Sequence, residues 1–318
     1  MITQEQAVGM YRTMLLIRRF EERLFLLFAT RAMPGTMHQY NGEEAVAVGT
    51  CFNLNRNDYI TSTHRGHGHC LAKGTSTKGV MAEMFAKSTG CCKGMGGSMH
   101  IADFGVGMLG ANGIVGGGIP HAVGAAWSSK YLKNGKVAVA FFGDGAANEG
   151  SFHEAVNLAA VWQLPVVFVC ENNLYGFSTH YRRSTPVEDI AVRAAAYGIE
   201  GIIADGMSVE DVYDKTGAAI RKARAGGGPT LIECKTYRYM GHSRAERPTY
   251  RTMEELAAWK LKDPLITYAE VLKSQYGLNM EQLKSVEDDV AAEIDQAVAF
   301  AEASPDPQAD AYQQYIFA

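Results

Sequence analysis

At 318 residues the chain is long enough for one large α/β domain or two smaller ones, and a chain of this size buries roughly three quarters of its unfolded surface without disulfide or metal staples. A net charge of -4, with both signs spread along the sequence, gives no electrostatic case for nucleic acid or an anionic membrane, and no apolar run reaches membrane-spanning length. The opening Met1-Ile2-Thr3-Gln4-Glu5 lacks the basic-then-apolar pattern of a signal peptide, and the 6 cysteines, Cys91-Cys92 included, lack zinc or redox spacing; free thiols and a cytoplasmic protein are expected.

Thr3-Gln4-Glu5-Gln6 reads as a capping box ahead of a helix that runs to about Ala29, with Tyr11, Met14, Leu15, Arg18, Glu22, Phe25 and Phe28 near helical spacing. Large apolar residues on more than one side predict its burial against a second chain as well as its own. From Met33 the text turns to Pro34-Gly35, His38 and Asn41-Gly42, and a short helix follows from Glu43. Asp58 to Thr61 predicts a strand that runs straight into Ser62-Thr63-His64-Arg65-Gly66-His67-Gly68-His69. Polar and basic residues directly after a strand belong at the ligand-bearing edge of an α/β sheet. Glycines are dense from Ser88 to Gly118, but Met99, His100, Ile101 and Met108 interrupt them, which predicts a loop folded tightly over something and not a tether. Pro120 to Leu132 reads as a closely packed helix.

The stretch from Val137 to Tyr175 predicts strand, tight turn, helix, strand and loop: Val137 to Phe142, Gly143-Asp144-Gly145, Ser151 to Trp162, Pro165 to Cys170, then Glu171-Asn172-Asn173. Two apolar runs around one helical pattern make a βαβ unit, which brings the carboxyl ends of both strands to one edge. After Asn173 come Leu174 to Thr179, an Arg182-Arg183 loop and a helix from about Val187 to Tyr197. Ser208 caps a helix ending before Gly226-Gly227-Gly228. Pro229 to Thr236 is a strand, and Tyr237 to Ser243 again puts basic groups at a strand end. Thr252 and Asp263 start helices, and an amphipathic helix covers about Met280 to Glu302. The alternation predicts an α/β fold with a mostly parallel sheet and helices on both faces. The expected organisation is one domain over 1–318, with the helix 3–29 and the helical region 252–318 as packing or interface elements.

Asp144 between glycines has a chemical use: the Gly145 and Ala146 amides can approach a phosphate while the carboxylate takes one site on magnesium. Asn173 offers an amide oxygen and Tyr175 its carbonyl. Gly-Asp-Gly alone is usually a plain turn, but the spacing to Asn172-Asn173 fits a turn, a helix and a second strand. A dinucleotide reading is weaker, because Asn148 stands where the third glycine belongs, and Gly105-x-Gly107-x-x-Gly110 matches that pattern with no strand before it. His64, His67 and His69 cannot present three zinc ligands on one helical face. His64 and Arg65 read as phosphate binders, joined by Arg238 and His242, whereas His67 and His69 read as packing or hydrogen-bonding residues. His38 and His100 serve equally well as satisfied loop histidines. Ser178 and Ser243 sit in no nucleophile elbow.

Gly143-Asp144-Gly145-Ala146-Ala147-Asn148-Glu149-Gly150 with Cys170-Glu171-Asn172-Asn173-Leu174-Tyr175-Gly176 resembles the thiamine diphosphate motif of the alpha subunits of decarboxylating components of 2-oxo acid and acetoin dehydrogenase complexes. The resemblance covers almost the whole chain and includes Lys93 to His100, Gly110 to Gly116 and Thr236 to Ser243. It implies the diphosphate-binding half of the thiamine diphosphate-binding fold. Asp144, Asn173 and the Tyr175 carbonyl would hold Mg2+; Gly145, Ala146, His64, Arg65 and Arg238 would cradle the diphosphate; Gly113 and Val115 would meet the aminopyrimidine. His242 would stand at the diphosphate and the mouth of the site, and His38 near the reacting carbon, as candidate proton carriers.

The same resemblance implies a beta subunit that supplies the activating glutamate, an α2β2 heterotetramer, and a lipoyl-bearing acyltransferase that takes the product. Ser62 to His69 and Leu109 to Gly118 look closer to acetoin-type subunits, whereas Tyr239 to Ser243 look closer to the pyruvate type. Ser243 matches in position a serine that kinases modify in mitochondrial relatives, and its plainer reading is a serine in a site loop. The rival expectations are a non-catalytic paralogue and a nucleotide-dependent oxidoreductase.

Overall fold

Residues 2–30, 33–246 and 248–316 are described by a computed structural model. The capping box forms at Thr3, whose hydroxyl accepts from the Gln6 amide at 3.2 Å while the Gln6 side chain accepts from the Thr3 amide at 3.1 Å. It starts helix α1 (Gln4–Ala29). The chain continues through α2 (Glu44–Cys51), strand β1 (Tyr59–Thr61), α3 (Gly66–Ala72), α4 (Thr77–Met84), β2 (Met108–Gly110), α5 (Gly118–Leu132), β3 (Ala138–Gly143) and α6 (Gly150–Val161). Then come β4 (Val166–Asn172), a hairpin of β5 (Tyr175–Gly176) and β6 (Thr179–His180), a 3-10 segment (Ile190–Tyr197), β7 (Glu200–Asp205), α7 (Val209–Arg224) and β8 (Thr230–Lys235). Helices α8 (Met253–Lys260), α9 (Pro264–Tyr276), α10 (Met280–Ala303) and α11 (Gln313–Ile316) follow.

Six strands make one parallel sheet in the order β2-β1-β3-β4-β8-β7. Alternate residues of its inner strands face opposite cores. Val139, Phe141, Val167, Val169 and Ile232 join one core with α1, α2, α7 and α10; Ala138, Ala140, Phe142, Val166, Phe168 and Leu231 join another with α5 and α6. Burial on both faces explains why these strands read as unbroken apolar runs. Steps along the sheet in one direction, β2 to β3, β3 to β4 and β4 to β7, cross on the face of α5, α6 and the 3-10 segment. Steps the other way, β1 to β2 and β7 to β8, cross on the opposite face through α3, α4 and α7. A constant right hand requires that change of face.

The parallel sheet with helices on both faces is the expected fold class. The structure adds β2 and β7, short or polar edge strands that periodicity passes over, and α3, which carries His67 and His69. Where a helix is expected over 187–197, a 3-10 segment begins at Ile190, and the Ala191 amide is held by the Glu233 carboxylate at 2.9 Å. The glycine-rich loop is fixed by Glu83, a buried carboxylate that accepts from the amides of Cys92, Gly94, Gly96 and Gly97 at 2.8, 2.9, 2.8 and 3.0 Å. α10 packs on α1 and α4, and α9 on α1. No helix among the described residues is long and apolar enough to cross a membrane.

Phe168 is fully buried in the middle of β4. Phe168→Ala should lower stability by about 3–5 kcal/mol, read as an earlier midpoint in urea unfolding. A midpoint within experimental error of the parent would contradict this packing.

Candidate cofactor site

Four strand ends meet at one crevice. Ser62 to Arg65 leave β1, Asp144 to Ala146 leave β3, Asn173 and Tyr175 to Phe177 follow β4 and Arg238 stands beyond β8; all line a cleft of about 480 Å3. The chain reverses its direction across the sheet between β1 and β3, where an open parallel sheet leaves room for a ligand.

In the β3–β4 register Gly143 lies opposite Glu171, so Asp144 leaves the edge level with Asn172 and one residue short of Asn173. Asp144 is 2% exposed; its Oδ1 accepts from the Gly145 amide at 2.9 Å, and its Oδ2 has no protein partner. Burial raises this carboxyl to about 6, against the Gly145 hydrogen bond and the charge of Arg238. A buried carboxylate oxygen without a partner is costly, and a bound cation would satisfy it. Asn173 Nδ2 donates to both carboxylate oxygens of Glu43 at 3.2 Å each, while its Oδ1 accepts from the Tyr175 amide at 3.3 Å. The Tyr175 carbonyl accepts from Arg238 at 3.3 Å. A Cβ on Gly145 would stand 3.5 Å from the Gly176 Cα, so backbone approaches backbone closely at this turn.

Positive charge gathers at the same place. Arg65 donates to the carbonyls of Gln39 and His242 at 2.8 and 2.9 Å; Arg238 also donates to the Phe177 carbonyl at 3.0 Å and the Tyr250 hydroxyl at 2.7 Å. Both arginines are buried, and burial followed by the charge of Arg238 lowers Arg65 to about 10. The rings of His38, His64 and His242 pack together at centroid separations of 4.7, 4.9 and 5.2 Å. Burial first, and Arg65 second, keeps these imidazoles neutral: His38 falls to about 4, His242 to about 3, and His64 further still.

Of the residues singled out in the sequence, His64, Arg65, Val115, Asp144, Gly145, Ala146, Asn173, Tyr175, Arg238 and His242 line the cleft. His38 stands behind it, against His64 and His242. Gly113 lies on the exposed loop, where an added Cβ would be 3.5 Å from the His100 ring. His67 and His69 are buried and hydrogen-bonded as expected, His67 to Glu21 and Ser98 at 2.9 Å each, His69 to Ser62 at 2.7 Å and Glu171 at 3.0 Å. The Gly105 to Gly110 match falls on a 3-10 turn and edge strand β2, with no helix opening there to receive a phosphate.

Two buried acids escape sequence reasoning. Glu171 accepts from the Tyr40 hydroxyl and pairs with His69, and Glu43, raised by burial and then by Glu171, lies under Asn173. Neither has a local signal, since each partner is distant in sequence. Glu83, Cys91 and Cys92 bring ligand atoms within 4.8 Å of one another, but the Glu83 oxygens are already filled by the loop amides. The six cysteines are free thiols. The main cleft thus offers hard oxygen donors beside two arginines, a set suited to a divalent cation bound with an anion.

An unfolded histidine near 6.5 takes up its proton before His38, lowered to about 4, so the contribution of this ring to stability is present above about pH 6.5 and is lost as pH falls toward 4. His38→Gln should flatten the dependence of Tm on pH across that window. In the parent, the His38 ring should still report the neutral form by NMR at about pH 5.5. A charged ring there, or an unchanged slope, would contradict the geometry.

A family model described as dehydrogenase E1 component matches residues 12–310. The alpha subunit of the acetoin:2,6-dichlorophenolindophenol oxidoreductase of Bacillus subtilis (strain 168) is 51% identical over 308 residues, which cover 96% of this chain and 92% of that one. Its counterpart from Cupriavidus necator is 46% identical over 307 residues, with coverage of 96% and 92%. The chloroplastic pyruvate dehydrogenase E1 component subunit alpha-3 of Arabidopsis thaliana is 40% identical over 324 residues, 100% of this chain and 76% of that one. The chain belongs to the dehydrogenase E1 component family, whose enzymes are thiamine diphosphate-dependent oxidoreductases.

Proposed function

We propose that this chain is the alpha subunit of a thiamine diphosphate- and magnesium-dependent dehydrogenase component that cleaves acetoin or a 2-oxo acid such as pyruvate and passes the acyl or aldehyde unit to lipoamide. The observation that carries this reading is the partnerless Oδ2 of Asp144 beside the Asn173 Oδ1 and the Tyr175 carbonyl, with Arg65 and Arg238 next to them. Three oxygens of this kind fit magnesium and leave ligand positions for diphosphate oxygens and water. Acetoin is the favoured substrate, because the acetoin-type relatives reach 51% and 46% identity against 40% for the pyruvate-type subunit.

The bound cofactor supplies the chemistry of carbon–carbon cleavage; the chain supplies position and charge. Asp144, Asn173 and the Tyr175 carbonyl hold the metal. The Gly145 and Ala146 amides, His64, Arg65, Arg238 and His242 bind the diphosphate, and the backbone of Gly113 and Val115 meets the aminopyrimidine. His242 and His38, held neutral by burial and Arg65, would be the candidate proton carriers once the bound cofactor and substrate bring up a charge that favours their protonated forms. Ile114, Val115 and Phe177 are exposed apolar side chains at the rim of the cleft, 74%, 49% and 57% accessible, a rim suited to cover by a partner. The partner is a beta subunit, which completes the site with its activating glutamate in a cytoplasmic α2β2 assembly served by a lipoyl-bearing acyltransferase. The chain acts as one unit over 1–318, with the helix 3–29 and the helical region 252–318 as packing or interface elements.

Asp144→Ala in the co-expressed complex should weaken magnesium-dependent cofactor binding by about 3 kcal/mol, roughly 100-fold, and abolish turnover of acetoin with a dye acceptor. Unchanged affinity and activity would sink the proposed metal site. Among acetoin, pyruvate and branched 2-oxo acids, acetoin should turn over fastest.

A further inference from the structure

Glu43 holds none of the roles assigned above, yet its side-chain contacts reach two groups that do. It follows the Asn41-Gly42 turn, immediately before α2, and is fully buried. Each of its carboxylate oxygens accepts from Asn173 Nδ2 at 3.2 Å, and Arg65 Nε stands 4.0 Å from one of them. The amide of Asn173 has an oxygen and a nitrogen of nearly equal size, which exchange places by a half-turn about the last side-chain bond. Both Glu43 oxygens face the single Nδ2, so Glu43 presents acceptors at that position. Opposite Glu43 the nitrogen is therefore the stable neighbour, and the oxygen turns away, toward the Tyr175 amide.

We infer that Glu43 is a positioning residue that locks the Asn173 amide with its oxygen, and not its nitrogen, toward the divalent-cation site; this rests on the metal-binding reading given under Proposed function. Released from Glu43, Asn173 gains a second orientation that presents N–H donors to a cation. Arg65 and the Asn173 amide offset only part of the cost of burying Glu43, which burial and then Glu171 still hold above the usual carboxylate range, so the contacts of one side chain reach a cation ligand and an anion-binding group at once. Partners that orient a metal ligand from behind are worth about 10–100-fold in metal affinity.

The test is calorimetric titration of Mg2+ into the co-expressed α–β complex at saturating thiamine diphosphate, with Tm of the cofactor-free complex as a separate readout. Glu43→Leu, which removes both acceptors, should weaken Mg2+ binding about 10–100-fold, and Glu43→Gln, which keeps one acceptor, should recover most of that affinity. Glu43→Asp withdraws both oxygens without removing charge, and should also weaken Mg2+ binding; it carries the test if the leucine variant fails to assemble. In an Asn173→Ala background, Glu43→Leu should add no further loss, because the two residues act through one contact. Parent-like affinity in both Glu43→Leu and Glu43→Asp, or a full Glu43→Leu effect in the Asn173→Ala background, overturns the inference. Asp144→Ala separates the two levels: its failure to change Mg2+ binding overturns the metal reading itself, whereas its loss alongside parent-like Glu43 variants overturns only the role of Glu43.

Discussion

The parallel pairing of β3 with β4 is the constraint on which the site depends. Both strands are buried on both faces, and a slip of one residue would send Val139, Phe141, Val167 and Val169 into the core now filled by Ala138, Ala140, Phe142, Val166 and Phe168. The packing of helices on each side thereby fixes the register. With Gly143 opposite Glu171, the chain has no choice but to release Asp144 and Asn173 at neighbouring points of the same edge. The flanking strands β1 and β8 are parallel as well, so Arg65 and Arg238 reach that edge from either side.

The crevice concentrates buried charge and buried titratable groups. Arg65 and Arg238 are buried close enough for one to lower the other, three imidazoles are held neutral beside them, and Asp144 is raised toward protonation. Glu43 and Glu171 lie below, where Asn173, Tyr40 and His69 occupy their oxygens, and burial followed by Glu171 raises Glu43. A folded protein keeps such an arrangement where a ligand completes it. A divalent cation against Asp144 and an anion against the arginines would relieve the costs of burying that carboxylate and those guanidinium groups together.

Much of this was legible in the sequence because the signals were local. The apolar runs around Gly143-Asp144-Gly145, the helix between them and the paired asparagines lie within one βαβ unit, and the caps at Thr3, Ser208, Thr252 and Asp263 each form as their spacing implies. Edge strands β2 and β7 were not legible, since three residues among glycines, or a run ending in Asp205, carry little periodicity. Glu43 and Glu171 were missed for another reason. Their significance comes from contacts with Asn173 and with Tyr40 and His69, brought near only by tertiary packing. His38 gained its place the same way, through ring contacts with His64 and His242.

The most direct measurement is anomalous diffraction from crystals of the α–β complex grown with thiamine diphosphate and Mn2+ in place of magnesium. The expected result is one strong peak bonded to the Asp144 Oδ2, the Asn173 Oδ1 and the Tyr175 carbonyl, with diphosphate oxygens completing the coordination. A peak bound elsewhere, with Asp144 Oδ2 left without a ligand, would contradict the proposed use of this crevice.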